Sequence, residues 1–302
     1  MRAGDGRCAR VRVLHVNNPA NVGWALTRAL REEGIVAEVL DLYPSPFGFP
    51  SDLDADQRGV GAFLTAPRLA RLAGRYDVLH FHDCFPRAFR LGVALASAKP
   101  KLVFHHHGSL LRSGAARHAD APGAHLVATP DLLGHLPKAR YVPTPHAPPV
   151  DPVYPSGRGP ILVGHYPSNE STKGTPAIRA AVAPLVEAGL ARFDVASGLK
   201  HREALARMAA CDVVVDQWRP DINAHGVVTL EAMGLGKPVV CSVERAWYPG
   251  IPVLAGDLEV ALAEAARRPE RLPEIGRVSR AYVERVHAPK AVAAQLLAVY
   301  EG

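Results

Sequence analysis

The sequence lacks the features that mark a secreted or membrane-spanning chain. Its 302 residues include only four cysteines, which lie far apart with no paired spacing, and this usage is typical of a reducing compartment rather than of a disulfide framework. No apolar run reaches the roughly 18 residues of a membrane span. The segment from Met1 to Arg12 carries basic residues but no apolar signal core. The sequence therefore predicts a cytoplasmic protein.

The chain also has little excess charge of either sign. It carries 35 basic and 29 acidic residues, a formal net charge of +6. A nucleic-acid-binding protein is expected to cluster its lysines and arginines, whereas here they are scattered along the chain. We therefore predict no nucleic-acid partner. An anionic small ligand accounts for the modest excess, and a peripheral membrane contact stays open as a second explanation.

Strand and helix patterns alternate from end to end, which indicates an α/β fold with two doubly wound, Rossmann-like domains facing each other across a cleft. The pattern breaks only between residues 143 and 160, where prolines are so dense that neither a helix nor a central strand can continue. We therefore predict a first domain over residues 1–150 and a second over residues 151–302, with the option that the last helix packs back on the first domain. Ligands of such folds bind at the carboxyl ends of the strands.

The most informative stretch is HGVVTLEAMGLGKPVVCS, from His225 to Ser242. Gly226 lets the backbone approach a bound group, and the free N–H groups of the following helix start would face an anion such as a diphosphate. Gly236 is predicted to end the helix in a left-handed conformation before a buried strand. Glu231 would be repelled by a diphosphate, so a ribose diol is its better partner. The alternative is an ordinary helix start in a βαβ unit.

Two further loops follow predicted strands. SNESTKGT places the ammonium of Lys173 beside a helix start, which is a second anion-binding feature, although a solvated loop lysine is the alternative. NNPANVG, after the first strand, is a small-residue loop against which a substrate could lie. Within it Asn21 and Gly23 are candidate acceptor-side residues, and for Asn21 a plain helix N-cap is the alternative.

Histidines follow the third and fourth predicted strands. Because side chains alternate along a strand, His105 and His107 share one face and His106 lies on the other, so these three cannot all bind one metal ion. We predict that His107 reaches the cleft and that His105 and His106 are packing residues. His82 and Gly108 complete the acceptor-side candidates.

In these residues the chain resembles the GT-B glycosyltransferases, and within them family 4, over nearly its whole length. The motifs that carry the resemblance are STKGT, CDVVVDQW, HGVVTLEAMGLGKPVV, DVLHFHD and HHHG. The resemblance implies that Lys173 holds the donor diphosphate and that Glu231 binds the ribose. It also implies that the turn formed by His225, Gly226, Val227 and Val228 cradles phosphate and sugar, and that His107 contacts the donor sugar or the leaving phosphate.

The chain departs from the family pattern at two positions. Asn223 stands where the family usually has a second glutamate near the donor sugar, and we expect it, or Asp221, to bond the sugar hydroxyls. His165 stands where the family often has an arginine after the first strand of the second domain, and we expect it to face the diphosphate with a weaker positive charge.

The predicted function is that of a retaining hexosyltransferase that moves a sugar from a nucleoside diphosphate sugar to an acceptor hydroxyl. Lys173, His107 and Asn223 are the predicted catalytic residues, and stabilisation of the leaving diphosphate is the main chemical effect. We expect no metal and no cofactor beyond the nucleotide sugar as co-substrate. The alternatives are a nucleotide-sugar-binding pseudo-enzyme and a nucleotide-sugar epimerase of the same fold. The acceptor is not predicted.

Overall fold

The computed structural model describes residues 11–42, 46–54, 62–95, 99–116, 118–149, 151–254 and 256–302. The first half contains a seven-stranded parallel sheet in the order β3-β2-β1-β4-β5-β6-β7. Its strands and helices, in chain order, are β1 (Arg12–Val16), α1 (Val22–Glu32), β2 (Val36–Asp41), β3 (Leu53–Asp54), α2 (Ala62–Ala73), β4 (Val78–His82), α3 (Arg87–Leu95), β5 (Lys101–His106), α4 (Ser109–Arg112), β6 (Ala124–Val127) and β7 (Arg140–Tyr141).

The second half contains a four-stranded parallel sheet in the order β11-β10-β8-β9. Its elements are β8 (Ile161–His165), α5 (Glu170–Lys173), α6 (Thr175–Glu187), β9 (Ala191–Val195), α7 (His201–Ala210), β10 (Val213–Val215), α8 (Val227–Gly234), β11 (Val239–Val240), α9 (Leu258–Arg267), α10 (Leu272–Val286) and α11 (Pro289–Glu301). Two parallel sheets with helices on both faces confirm the predicted fold class.

Each sheet is buried on both faces, which explains its β-branched runs. In the first sheet, Val13, Val78 and Val103 form one face, and they share a core with Leu26 of α1 and Leu296 of the last helix, α11. The final helix thus completes the first domain. The opposite face packs on α2 and α3 in a separate core. Full burial of each such side chain is worth about 1.5–3 kcal/mol.

The proline-dense segment is fixed to the second domain. Arg280 of α10 donates through Nη1 to the carbonyl oxygens of Pro149 and Gly234, both at 2.7 Å. Further along, the Val153 N–H donates to the Leu235 carbonyl at 2.8 Å. Since proline residues carry no N–H, Pro149 is attached through its carbonyl, and the N–H of a non-proline residue, Val153, makes the second attachment.

Local structure departs from the sequence-based expectations at two points. Helix α2 contains Pro67, a residue that predicts a helix break, and no helix is expected there from the sequence. The run Pro252–Leu254 has the apolar composition expected of a short strand, yet it forms only a single bridge, between Leu254 and Val240. Among the described residues, no helix is long and apolar enough to cross a bilayer.

Candidate active site

A cleft of ≈ 600 Å³ lies where the carboxyl ends of the two sheets face each other. The first domain contributes Ala20, Phe47, Phe49, His107 and Arg112 to its walls, and the second contributes Lys173, Gln217, Glu231 and the segment 225–228. Most of the residues predicted for donor binding therefore line one continuous space. This is the position at which ligands bind in doubly wound folds.

The wall nearest α8 is organised by a buried carboxylate. Asp216, which directly follows β10, accepts a hydrogen bond from the Gly226 N–H at 2.5 Å and from the Thr229 hydroxyl at 2.8 Å. A Cβ at Gly226 would lie 2.7 Å from the Asp216 Oδ2 and 2.8 Å from the Lys173 Nζ, so glycine is needed for this close approach. Because its N–H is bonded to Asp216, the first-turn amides of α8 that remain are those of Val227, Val228 and Thr229, and of these residues Val227 and Val228 line the cleft.

The ammonium of Lys173 is held at the same place. Its Nζ donates to Gln217 Oε1 at 2.7 Å and lies 3.6 Å from Asp216 Oδ1. Burial opposes ionisation of Asp216, but Lys173, Thr229 and the Gly226 N–H outweigh it, so the pKa of Asp216 is lowered. The next residue, Gly174, has a φ of 75°. A Cβ there would lie 2.4 Å from the Trp218 carbonyl oxygen, which explains the glycine after the lysine.

Glu231 lies farther along α8 and is linked to the first domain through His201. Its Oε1 accepts a hydrogen bond from the His201 Nε2–H at 2.7 Å. The His201 ring meets Phe49 of the first domain edge-on at 5.0 Å, and its backbone N–H donates to the Phe47 carbonyl at 3.1 Å. Glu231 is four positions after Val227, so its Cα lies about 6 Å farther along the helix axis than that of Val227. That spacing suits the ribose and the phosphates of one nucleotide.

The first-domain wall is formed by the residues after β5. His107 lines the cleft, its backbone N–H donates to Asp83 Oδ1 at 2.9 Å, and its Nε2 lies 2.9 Å from His82 Nδ1. Gly108 follows with a φ of 128° and is the N-cap residue of α4. Arg112 of that helix also lines the cleft and pairs with Asp131 at 2.7 Å.

Two residues assigned to the donor side differ from expectation. His165 is completely buried, and its ring nitrogens contact the Val215 carbonyl at 2.8 Å and the Thr175 hydroxyl at 2.9 Å. It therefore connects β8, β10 and α6, and it does not line the cleft. Asn223 has a φ of 51° and holds a turn through its backbone, accepting from the Glu244 N–H at 2.8 Å. It is not among the residues that line the cleft.

The acceptor-side candidates lie just behind the cleft wall. Gly23 is buried, and a Cβ there would lie 3.0 Å from the Asn17 carbonyl oxygen, so its role is packing. His82 is completely buried behind His107. Asn21 stands at the N-cap of α1 without a side-chain cap bond, and its Oδ1 is buried without a partner. Gly108 acts as a turn residue.

Sequence reasoning missed several residues that shape the cleft. The largest omission is Asp216 with Gln217, although a polar pair directly after the apolar run VVV of β10 marks a strand's carboxyl end. His201 and Phe49 were missed because each acquires its role from contact with the other domain. The position of Arg112 at the cleft and its ion pair with Asp131 could not be anticipated from the sequence.

Comparison with known proteins identifies the fold. No protein-family model and no curated protein matches the chain. An alpha-glucosyltransferase in complex with UDP is similar with a TM-score of 0.69 at 8% identity, over 97% of this chain and 100% of that one. The O-GlcNAc transferase of Thermobaculum terrenum gives 0.59 at 15%, over 96% and 67%. The UDP-GlcNAc 2-epimerase of Methanocaldococcus jannaschii gives 0.55 at 9%, over 97% and 100%.

These likenesses show that the chain has the GT-B architecture of two Rossmann-like domains across a cleft. The identities are too low to carry an activity from those proteins to this one. Membership of family 4 stays a prediction from the motifs.

Proposed function

We propose that this protein is a glycosyltransferase that takes its sugar from a nucleoside diphosphate sugar. The observation that carries the proposal is the convergence of Lys173, the first-turn amides of α8 and Glu231 on one cleft. The ammonium and the amides match a diphosphate, and the carboxylate matches a ribose diol. The UDP in the complex with the alpha-glucosyltransferase is consistent with this class of donor.

The proposed chemistry is stabilisation of the leaving group. As the bond between the sugar and the β-phosphate breaks, negative charge grows on the phosphate, where Lys173 and the N–H groups of Val227 and Val228 are already directed. Lys173 is fixed in place by Gln217 and Asp216, so little reorganisation is needed during the reaction. His107, on the opposite wall, is the residue placed to contact the transferred sugar.

The finer assignments follow from the resemblance to family 4. We propose retention of the anomeric configuration and transfer of a hexose. Glu231 is the only carboxylate among the described residues that line the cleft, and its place at the ribose end does not suit a covalent nucleophile at the sugar. The anomeric proton of the product, followed by NMR, decides between retention and inversion.

An epimerase is the second candidate, because a UDP-GlcNAc 2-epimerase shares the fold. Such an enzyme needs groups that remove and return protons on the sugar ring, and the cleft offers His107 but no carboxylate at that end among the described residues. Incubation of the donor without acceptor separates the possibilities. An epimerase yields a new sugar stereoisomer, a transferase slowly releases free sugar, and a pseudo-enzyme leaves the donor intact.

The donor site is tested by isothermal titration with UDP, GDP, ADP, dTDP and their sugars. We expect one diphosphate family to bind, and we expect Glu231→Gln and Lys173→Met to weaken binding by about 10- to 100-fold, the effect of losing a hydrogen bond to a charged group. Exposed residues of the same types provide the controls, Glu264→Gln and Lys290→Met. Binding that survives both cleft substitutions would refute the assignment.

The acceptor is sought once the donor is known. The alpha-glucosyltransferase has also been solved with UDP and a 13-mer DNA, so a DNA oligomer belongs in the panel beside sugars and anionic lipids. Transfer to DNA would contradict our prediction of no nucleic-acid partner.

A further inference from the structure

Five histidines from three neighbouring strands lie together on one face of the first sheet. They are His15 of β1, His80 and His82 of β4, His105 of β5, and His107 just after β5. The strand register pairs His15 with His80 and His82 with His105. The set, called here the histidine cluster, lies next to the apolar core under α1 and α11, and only His107 reaches the cleft.

Hydrogen bonds satisfy only part of the histidine cluster. His82 lies 3.0 Å from His15 Nδ1 through its Nε2 and 2.9 Å from His107 Nε2 through its Nδ1, and His80 Nδ1 contacts the Tyr300 hydroxyl at 2.6 Å. Buried without a hydrogen-bond partner are His15 Nε2, His80 Nε2 and both ring nitrogens of His105. Each such nitrogen costs about 1–3 kcal/mol, and an ion is one of the explanations for unsatisfied groups of this kind.

The ring nitrogens are close enough to share an ion. One ring nitrogen each of His82, His105 and His107 lie within 4.8 Å of one another, as do one each of His15, His80 and His82. Two nitrogens at 2.0–2.1 Å from a tetrahedral zinc ion are about 3.4 Å apart. His82 Nδ1 and His107 Nε2 are already nearer than that, at 2.9 Å.

We propose that His82, His105 and His107 bind a divalent transition-metal ion, with Zn²⁺ as the reference ion and an open coordination position toward the cleft. This triad is preferred over the inner one because His107 provides an entry from the cleft, and because the cleft supplies water as a fourth ligand. The carboxylate of Asp83, which accepts the His107 N–H, adds a nearby negative charge. The inner triad of His15, His80 and His82 is wholly buried, and among the described residues it has no comparable carboxylate to balance the charge of an ion.

The hydrogen-bonded chain provides the outer shell of this site. When the ion takes His82 Nδ1, the proton of that ring resides on Nε2 and is donated to His15 Nδ1. Metal-binding histidines usually make an outer hydrogen bond of this type, which fixes the ring orientation. The bound ion replaces the contact between His82 and His107 and also gives His105 a partner. This proposal departs from the metal-free site expected from the sequence and does not involve the donor diphosphate.

The test uses the full chain without a polyhistidine tag, stripped with a chelator and dialysed against Zn²⁺ or Co²⁺. We expect one equivalent of Zn²⁺ by elemental analysis and the visible absorption of tetrahedral Co²⁺. His105→Gln and His107→Gln should each weaken binding at least tenfold. The matched control is His106→Gln, on the same strand but the opposite face, where His106 contacts His125 at 3.1 Å.

Several results would overturn the proposal. The first is the absence of stoichiometric metal, and the second is an equal loss of metal binding in His106→Gln. The third is metal binding that survives His107→Gln but is abolished by His80→Gln, because that result would assign the ion to the inner triad of His15, His80 and His82. His107 lies at the cleft wall, so His107→Gln should fold normally, and denaturation curves verify this. No nucleotide is present in the experiment, so its outcome is independent of the proposed transferase activity.

Discussion

Replacement of Lys173 by methionine should destabilise the protein through Asp216. That carboxylate is completely buried, and its Oδ1 has no hydrogen-bond partner. At 3.6 Å, the attraction between the two charges is about 5 kcal/mol for an effective dielectric constant of about 20. The net effect is smaller than this attraction, because Lys173 is one-fifth exposed to solvent and loses hydration when it pairs with Asp216. We therefore expect Lys173→Met to lower the free energy of unfolding by about 2–3 kcal/mol.

The assay is urea denaturation at pH 7 on a double-mutant cycle of Lys173→Met and Asp216→Asn. The double variant should recover most of the loss, with a coupling free energy of about 2 kcal/mol. The folded pKa of Asp216 lies below its ordinary value of 3.8, so the ion pair stabilises the protein above pH 3.8 and is lost as the pH falls through the folded pKa. The difference between wild type and Lys173→Met should therefore shrink in acid.

Additive effects in that cycle, or a Lys173→Met stability within about 0.5 kcal/mol of wild type, would refute the reasoning. In either case the ion pair would carry no net energy. Lys290→Met, which removes an exposed ammonium paired with Glu33 at 2.8 Å, serves as the control and should leave the midpoint of denaturation unchanged.

The remaining predictions concern a buried lysine and a tight turn. Burial lowers the pKa of Lys237 from 10.5 to about 8. Because the unfolded chain binds this proton more tightly than the folded protein, the free energy of unfolding of the wild type should rise as the pH increases from about 8 to 10.5. Lys237→Met should stabilise the protein at pH 7 by about 1–3 kcal/mol and remove that rise, as denaturation across pH would show; an unchanged pH profile would contradict the assignment. Gly174→Ala should cost at least about 3 kcal/mol because of its left-handed backbone and the Trp218 carbonyl, whereas Gly189→Ala, at a φ of 69° in open space, should cost about 1–2 kcal/mol. Equal costs would show that the close approach is unimportant.

Local signals were sufficient to predict the part of the site that follows directly along the chain. In the stretch from His225 to Ser242, the structure has α8 (Val227–Gly234), a left-handed Gly236 with φ 81°, and then β11 (Val239–Val240). Each of these features depends on neighbouring residues, namely a helix start, a terminating glycine and a β-branched run. The alternation of side chains along a strand also assigned His106 to one face of β5 and His105 and His107 to the other, as the structure has them. This inference needs only the residues of a single strand.

Features that depend on contacts between distant segments were not predictable. His165 is at the expected strand end, but its bonds to Val215 and Thr175 are set by how β10 and α6 pack on β8. The histidine cluster needs the register of three strands, and the sequence alone showed only that some of its members follow strands. The fold class was predictable because it rests on the repeated alternation of strands and helices along the whole chain.

The chain crosses between the two domains twice, and the crossings are bonded to each other. The His146 N–H donates to the His287 carbonyl at 2.8 Å, and His287 Nδ1 contacts the Thr144 carbonyl at 2.8 Å. The first crossing leads into the proline-dense segment held by Arg280, and the second lies between α10 and α11. Two connections joined in this way would act as one hinge. A rotation about it that opens the cleft would break the hydrogen bond from the His201 N–H to the Phe47 carbonyl, and the nucleotide of the proposed donor would exchange only after that contact is lost.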